Sequence, residues 1–122
     1  MAVGAGVNYR QIRPPDWPAG FRTHYEFYQT KSILGAELHI ETDAARSLGE
    51  ELAPLAGTQV AAGAASLVWD GNWSSGRGRL AAQFPPEVEP HHVAAAMEDL
   101  IALTRDKVRR RLSELHQARP AP

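Results

Sequence analysis

Histidine and glutamate side chains alternate with apolar ones in two neighbouring segments, HYEFYQ and AELHIE. Residues two apart on a β-strand point to the same side, so two such strands would gather the imidazoles and carboxylates on one face. Such groups about 5 Å apart across a hairpin could bind zinc, manganese or iron, or exchange protons in acid–base catalysis. The members of this predicted polar face are His24, Glu26, Tyr28, Glu37, His39 and Glu41.

The same pattern also has a simpler explanation. A glutamate opposite a histidine is an ordinary pair of cross-strand partners on a solvated sheet face, and no spacing in these segments is diagnostic of metal ligands. We therefore predict no metal site, no cofactor and no catalytic residue on this face. A surface for a ligand or a partner protein is the favoured interpretation, and a small enzyme that uses the histidines and glutamates stays as an alternative.

A second set of candidates is basic and aromatic. Residues 105–119 carry six positive and two negative side chains, which leaves seven positive and twelve negative for the rest of the chain. Such a helix end suits phosphate groups or an acidic protein, although cations near a helix C-terminus also stabilise the helix itself. In the glycine-rich turn after residue 72, a tryptophan beside two arginines resembles a surface on which single-stranded nucleic acid stacks. The predicted patch for nucleic acid or an acidic partner consists of Trp73, Arg77, Arg79, Arg105, Lys107, Arg109, Arg110 and Arg111.

Length and composition exclude several classes of protein. The 122 residues suffice for one domain, and 43% hydrophobic residues suffice for a core. No cysteine is present, which excludes disulfides, thiolate metal sites and cysteine nucleophiles. A formal net charge of -1 gives no overall attraction to nucleic acid or to an anionic membrane. Because no apolar run is long enough to span a bilayer and no secretory signal is present, we expect a soluble, cytoplasmic protein without a membrane partner.

The two segments of the polar face must share one register if they form a hairpin. Pairing apolar with apolar side chains fixes that register, and the loop then falls around residues 31–34. The predicted pairs are Tyr25 with Ile40, Phe27 with Leu38, Glu26 with His39 and His24 with Glu41.

Three further elements are predicted downstream. Leucines at three- and four-residue steps indicate a short amphipathic helix over residues 42–55. A second hairpin follows, in which Trp69 faces Ala82 across a turn at residues 74–76. A long helix then begins at Pro90, which suits the first helical turn. Its predicted apolar stripe is Val93, Met97, Leu100, Ile101, Thr104, Val108, Leu112 and Leu115.

The predicted order of elements is therefore strand, strand, helix, and this unit occurs twice along the chain. This ββαββα order predicts an α+β fold of two β-hairpin-plus-helix units, in which both helices pack on one face of an antiparallel sheet and the polar face is left bare. We expect an extended N-terminal arm over residues 1–20, a single α+β domain over residues 21–118 and a frayed tail over residues 119–122.

A longer phrase of the sequence supports the same architecture. The phrase YEFYQ…GAELHIET, followed by a short helix, a tryptophan-containing strand pair and a helix ending LTRDKVRRRLSEL, resembles a bacterial domain of unknown function. That domain follows restriction-endonuclease-like nuclease domains, and the resemblance covers about residues 21–116. It implies a small α+β domain in a nuclease or defence context. Neither the preceding domain nor an Asp followed by a Glu-x-Lys strand is present, so we do not expect nuclease activity.

The function expected from the sequence is that of a small non-catalytic binding or assembly module. An open sheet with helices on one side leaves a face and edges that proteins usually cover, so we expect a homodimer or a complex with a partner protein. A nucleic-acid-binding accessory protein that uses the basic C-terminal helix is the first alternative. A small enzyme on the polar face is the second.

Overall fold

Five strands form one antiparallel sheet in the computed structural model, which describes residues 8–118. Along the sheet the strands follow the order β1-β2-β3-β7-β6, and β4 and β5 form a separate two-stranded ribbon. The strands are β1 (Asn8–Ile12), β2 (His24–Gln29), β3 (Leu34–His39), β4 (Gln59–Val60), β5 (Ala65–Ser66), β6 (Val68–Asp70) and β7 (Arg79–Phe84).

The helical segments differ greatly in length. The segment predicted as one short helix consists of a 3-10 turn at Asp43–Leu48, a single α-helical turn α1 at Gly49–Leu52 and a 3-10 turn at Ala53–Leu55. The α-helical turn α1 ends at Leu52 because Pro54 has no N–H to donate to the preceding turn. The long helix α3 spans Pro90–Ala118, and two short turns, Ala61–Gly63 and α2 (Trp73–Gly76), contain residues with left-handed backbone angles, namely Ala62, Ser74 and Ser75.

Helix α3 confirms the predicted apolar stripe and packs on the sheet. Its buried residues run from Val93 to Leu112 at three- and four-residue steps. Among them, the Thr104 hydroxyl donates to the backbone oxygen of Leu100 (2.6 Å) and accepts from the hydroxyl of Tyr25 on β2 (2.7 Å). Tyr25 is fully buried, so this bond satisfies a polar group that burial would otherwise leave without a partner. The α+β class and the antiparallel sheet are thus confirmed.

The N-terminal segment contributes to the sheet and to the core. Strand β1 pairs with β2, so the sheet has one strand more than the two predicted hairpins supply. Trp17 is buried, and its indole N–H donates to the backbone oxygen of Arg105 on α3 (3.3 Å). Residues 1–7 and the tail 119–122 lie outside the described residues. In the part of the chain that the structure describes, no helix is long and apolar enough to cross a bilayer.

The register of the first hairpin differs from the prediction by two residues. Tyr25 pairs with Leu38, and Phe27 pairs with Ala36. The cause is the position of the loop, which lies at residues 30–33, one residue earlier than predicted, and in which the N–H of Thr30 donates to the backbone oxygen of Ile33 (2.9 Å). The Thr30 hydroxyl also accepts from the N–H groups of the two residues that precede β3. A shift of two keeps every side chain on its predicted face but changes its partner.

The predicted register of the second hairpin is also wrong by two residues. Trp69 pairs with Leu80 rather than with Ala82, because β6 ends at Asp70 and the helical turn α2 occupies the connection. The Trp69 indole lies against Gly78, where a Cβ atom would overlap the ring. A small residue is therefore needed at position 78.

Candidate metal centre

Four histidines and glutamates of the polar face lie on the adjacent inner strands β2 and β3, where the observed register sets them opposite one another. His24 is opposite His39, and Glu26 is opposite Glu37. The prediction of a bare face is wrong here, because these four residues are between 0% and 6% exposed. Glu41, two residues beyond His39 and on the same side of the chain, is 28% exposed through its side chain.

Four donor atoms from this face converge on one point. The Nε2 atom of His24 lies 3.0 Å from Oε1 of Glu26 and 3.4 Å from Oε2 of Glu41. The Nδ1 atom of His39 lies 3.6 Å and 3.7 Å from the same two carboxylate oxygens. All four atoms lie within 4.8 Å of one another.

The second ring nitrogen of His24 is held by the backbone. Its Nδ1 atom lies 3.1 Å from the backbone oxygen of Arg22, and since a carbonyl oxygen can only accept, Nδ1 carries the proton. Arg22 adopts a left-handed conformation with φ of 58°, which non-glycine residues rarely adopt. The bond leaves Nε2 of His24 directed at the carboxylates.

His39 is held in the same way by a buried carboxylate. Its Nε2 atom donates to Oε1 of Glu37 at 2.7 Å. That bond leaves Nδ1 as the nitrogen that faces Glu26 and Glu41, and this buried atom has no hydrogen-bond partner. If Nδ1 is unprotonated, a lone pair faces two carboxylate oxygens, which are also acceptors.

Glu37 is itself fixed from several sides. Its Oε2 atom accepts from the amide of Gln83 on β7 at 2.8 Å, and Arg79 lies 3.7 Å from Oε1. Gly35 provides the space for this carboxylate, because a Cβ atom at position 35 would overlap Oε2 of Glu37. A histidine whose second nitrogen is fixed by a carboxylate or a backbone oxygen is the usual arrangement of a metal ligand.

A tryptophan from the turn α2 covers His39 on this face. The rings of Trp73 and His39 lie 4.3 Å apart between centroids, and the guanidinium of Arg79 lies 5.8 Å from the centroid of Trp73. Water is thereby kept from His39. Trp73 and Arg79, predicted as parts of a nucleic-acid patch, lie here beside the histidines.

The electrostatics of the face favour a positive charge at its centre. Burial of the imidazole lowers the pKa of His24, but the hydrogen bond to Glu26 and the charge of Glu41 outweigh it, so the pKa lies above its ordinary value of 6.5. Burial raises the pKa of Glu26, but the hydrogen bond from His24 and the charge of His39 outweigh it, so this pKa lies below its ordinary value of 4.5. A proton on His24 is one way to supply the positive charge.

The spacing of the donor atoms also suits a metal ion. With metal–ligand distances of about 2.1 Å, neighbouring donors lie about 3.0 Å apart in octahedral geometry and about 3.4 Å apart in tetrahedral geometry. The four neighbouring separations of 3.0, 3.4, 3.6 and 3.7 Å lie at or slightly above these values. Small movements of the side chains would therefore be enough to coordinate one ion.

A cavity of about 320 Å³ opens beside two of the four donor residues. His24 and Glu41 form part of its wall, so it reaches the centre at its most exposed ligand. The other lining residues are Gln11, Arg13, Arg22 and Thr23.

The predicted basic patch is divided between separate places. Trp73 and Arg79 lie on the polar face, whereas the arginines of α3 belong to the helix that meets the opposite face through Tyr25. Most arginines of the predicted basic patch also have carboxylate partners. The pairs are Arg77 with Asp43 (3.1 Å), Arg79 with Asp70 (3.7 Å), Arg105 with Asp16 (3.2 Å), Arg109 with Asp16 (3.8 Å) and Arg111 with Glu51 (2.9 Å).

Sequence reasoning missed two contributors to the site. Gln11 is on β1, whose pairing with β2 was not predicted, and its amide donates to Oε1 of Glu26 at 3.4 Å. Arg22 contributes a backbone oxygen, which no side-chain pattern can reveal. Tyr28 shares the polar face by register but has no hydrogen bond to the centre.

Comparison with known proteins finds no family model, no curated protein and no solved structure that matches this chain.

Proposed function

We propose that this protein is a metalloprotein that binds one divalent first-row transition-metal ion on the polar face of its sheet. The ligands are Nε2 of His24, Nδ1 of His39, Oε1 of Glu26 and Oε2 of Glu41. The observation that carries the proposal is the buried Nδ1 of His39, which lacks a hydrogen-bond partner and faces two carboxylate oxygens. A cation at that point would satisfy all three atoms at once.

The donor set limits the choice of metal. Imidazole suits zinc, iron, nickel and copper, and carboxylate suits manganese and magnesium, so a mixed set without thiolate favours zinc, iron(II) or manganese(II). Two neutral imidazoles and two carboxylates carry a charge of −2, which a divalent ion neutralises. Binding would displace the proton on Nε2 of His24, so affinity should rise with pH.

Direct measurement of metal content and affinity tests this proposal. The metal-free chain is titrated calorimetrically with Zn²⁺ and Mn²⁺, and we expect one ion per chain. The variants His39→Ala and Glu41→Gln should lose this binding. His91→Ala is the matched control, because His91 is an exposed histidine on α3. Binding of no ion, or binding that His39→Ala leaves intact, would refute the proposal.

The expected layering belongs to the same proposal. Packing of the long helix α3 on one face would leave the other face to the metal centre and to the turn α2 that covers it. The hydrogen bond between Tyr25 and Thr104 supports this layering, because Tyr25 points away from the side of β2 that carries His24 and Glu26.

Self-association is a second candidate function. The outer edges of β1 and β6 are the two ends of the sheet, and Val68 on β6 is 63% exposed. An unpaired edge with an apolar side chain can pair with a second copy. Sedimentation at micromolar concentrations should then give twice the mass of the chain, and in Val68→Lys the measured mass should fall to that of one chain. A single-chain mass throughout would exclude this candidate.

Nucleic-acid binding and the nuclease-associated context also stay proposals. Of the predicted basic patch, Lys107 and Arg110 form no ion pair within the described residues and are free to meet phosphate. Binding to a single-stranded oligonucleotide that weakens with rising salt would support this role.

A further inference from the structure

We propose that the cavity beside the metal centre is a binding site for a small organic acid, held by Arg13 and Arg22 at its outer end and directed at the metal ion at its inner end. The inner contact rests on the proposed function, whereas the contact with the arginines does not. The ligand class follows from the charge, the position and the size of the cavity.

Charge is the first argument. Arg13 and Arg22 both line the cavity, and neither forms an ion pair in the part of the chain that the structure describes. This distinguishes them from Arg77, Arg105 and Arg111, each of which has a carboxylate partner within 3.2 Å. Guanidinium groups without a partner are suited to the planar oxygens of a carboxylate.

The position and the volume of the cavity give the second argument. His24 and Glu41 belong both to the cavity wall and to the metal centre, and Glu41 is the most exposed of the four ligands. A group in the cavity therefore has direct access to the ion. The volume of about 320 Å³ equals that of about ten water molecules, which suits an acid of up to about ten non-hydrogen atoms.

The choice of a carboxylate ligand over a phosphate is tested with two probes. Succinate and inorganic phosphate are each titrated into the full-length chain by calorimetry, once metal-free and once loaded with zinc. We expect succinate to bind and phosphate to bind more weakly. Arg13→Gln and Arg22→Gln should each weaken succinate binding by about tenfold or more. The matched control is Arg10→Gln, because Arg10 is an exposed arginine on β1 outside the cavity.

The outcomes separate this inference from the proposed function. Zinc binding with no succinate binding overturns the cavity proposal and leaves the metal centre intact. Succinate binding that depends on Arg13 and Arg22 supports the cavity proposal even where zinc does not bind. Stronger binding of phosphate than of succinate overturns the assignment to an organic acid. Equal losses in the control Arg10→Gln would also overturn it, since general charge would then explain the binding.

Discussion

Replacing Glu37 by glutamine probes the metal centre without removing a metal ligand. Glu37 is 0% exposed and touches the centre only through His39, whose Nε2 atom donates to it at 2.7 Å. Glutamine has nearly the same size and can still accept that bond, so the fold should persist. What the substitution removes is the negative charge that orients His39 and strengthens it as a ligand.

The expected loss follows from the strength of that bond. A hydrogen bond to a charged group contributes about 1.5–3 kcal/mol, and a tenfold change in affinity corresponds to about 1.4 kcal/mol. The substituted amide must also face Gln83, which now donates to Oε2 of Glu37 at 2.8 Å and would have to turn its own amide. We therefore expect zinc affinity to fall by about 10–100-fold.

The assay is competition for zinc against a chromophoric chelator, with circular dichroism to confirm that the variant is folded. Glu98→Gln is the matched control, because Glu98 is an exposed glutamate on α3 far along the chain from the centre. Unchanged zinc affinity in folded Glu37→Gln would refute the reasoning that Glu37 positions His39. A similar loss in Glu98→Gln would show that net charge, and not the hydrogen bond, sets the affinity.

Three further predictions concern the metal-free protein, and urea unfolding measures each of them. The raised pKa of His24 stabilises the fold fully below pH 6.5, and this stabilisation is lost as the pH rises through the raised pKa. The lowered pKa of Glu26 stabilises the fold fully above pH 4.5, and this stabilisation is lost as the pH falls through the lowered pKa. The pair therefore stabilises the fold most between about pH 4.5 and 6.5. If His24→Gln had the same dependence of its free energy of unfolding on pH as the unmodified protein, this prediction would be contradicted. Tyr25→Phe should cost about 1 kcal/mol, because it removes the bond to Thr104 but leaves the threonine bonded to the backbone; no loss would mean that the bond does not stabilise the fold. Gly35→Ala should cost about 1–3 kcal/mol by displacing the buried carboxylate beside it, and a neutral effect would show that this side chain can move freely.

The sequence predicted the faces of the strands better than their partners. Alternation alone places His24 and Glu26 on one side of β2, and any register shifted by two residues preserves that assignment. The identity of the opposite residue depends on the loop, and the hydrogen bonds of Thr30 place that four-residue loop one position earlier than expected. His24 is therefore opposite His39 instead of Glu41.

Local pattern thus determined the α+β class, the long helix α3 and the set of residues that share the polar face, because periodicity depends only on neighbours along the chain. Tertiary structure decided what those residues can do. Trp73 covers His39, β1 adds Gln11, and the backbone of Arg22 fixes the ring of His24. Each of these contacts joins separate segments, and burial and ring orientation follow from such contacts. A face that alternation describes as solvated charge pairs becomes, through them, a set of four converging donors, three of which belong to buried residues.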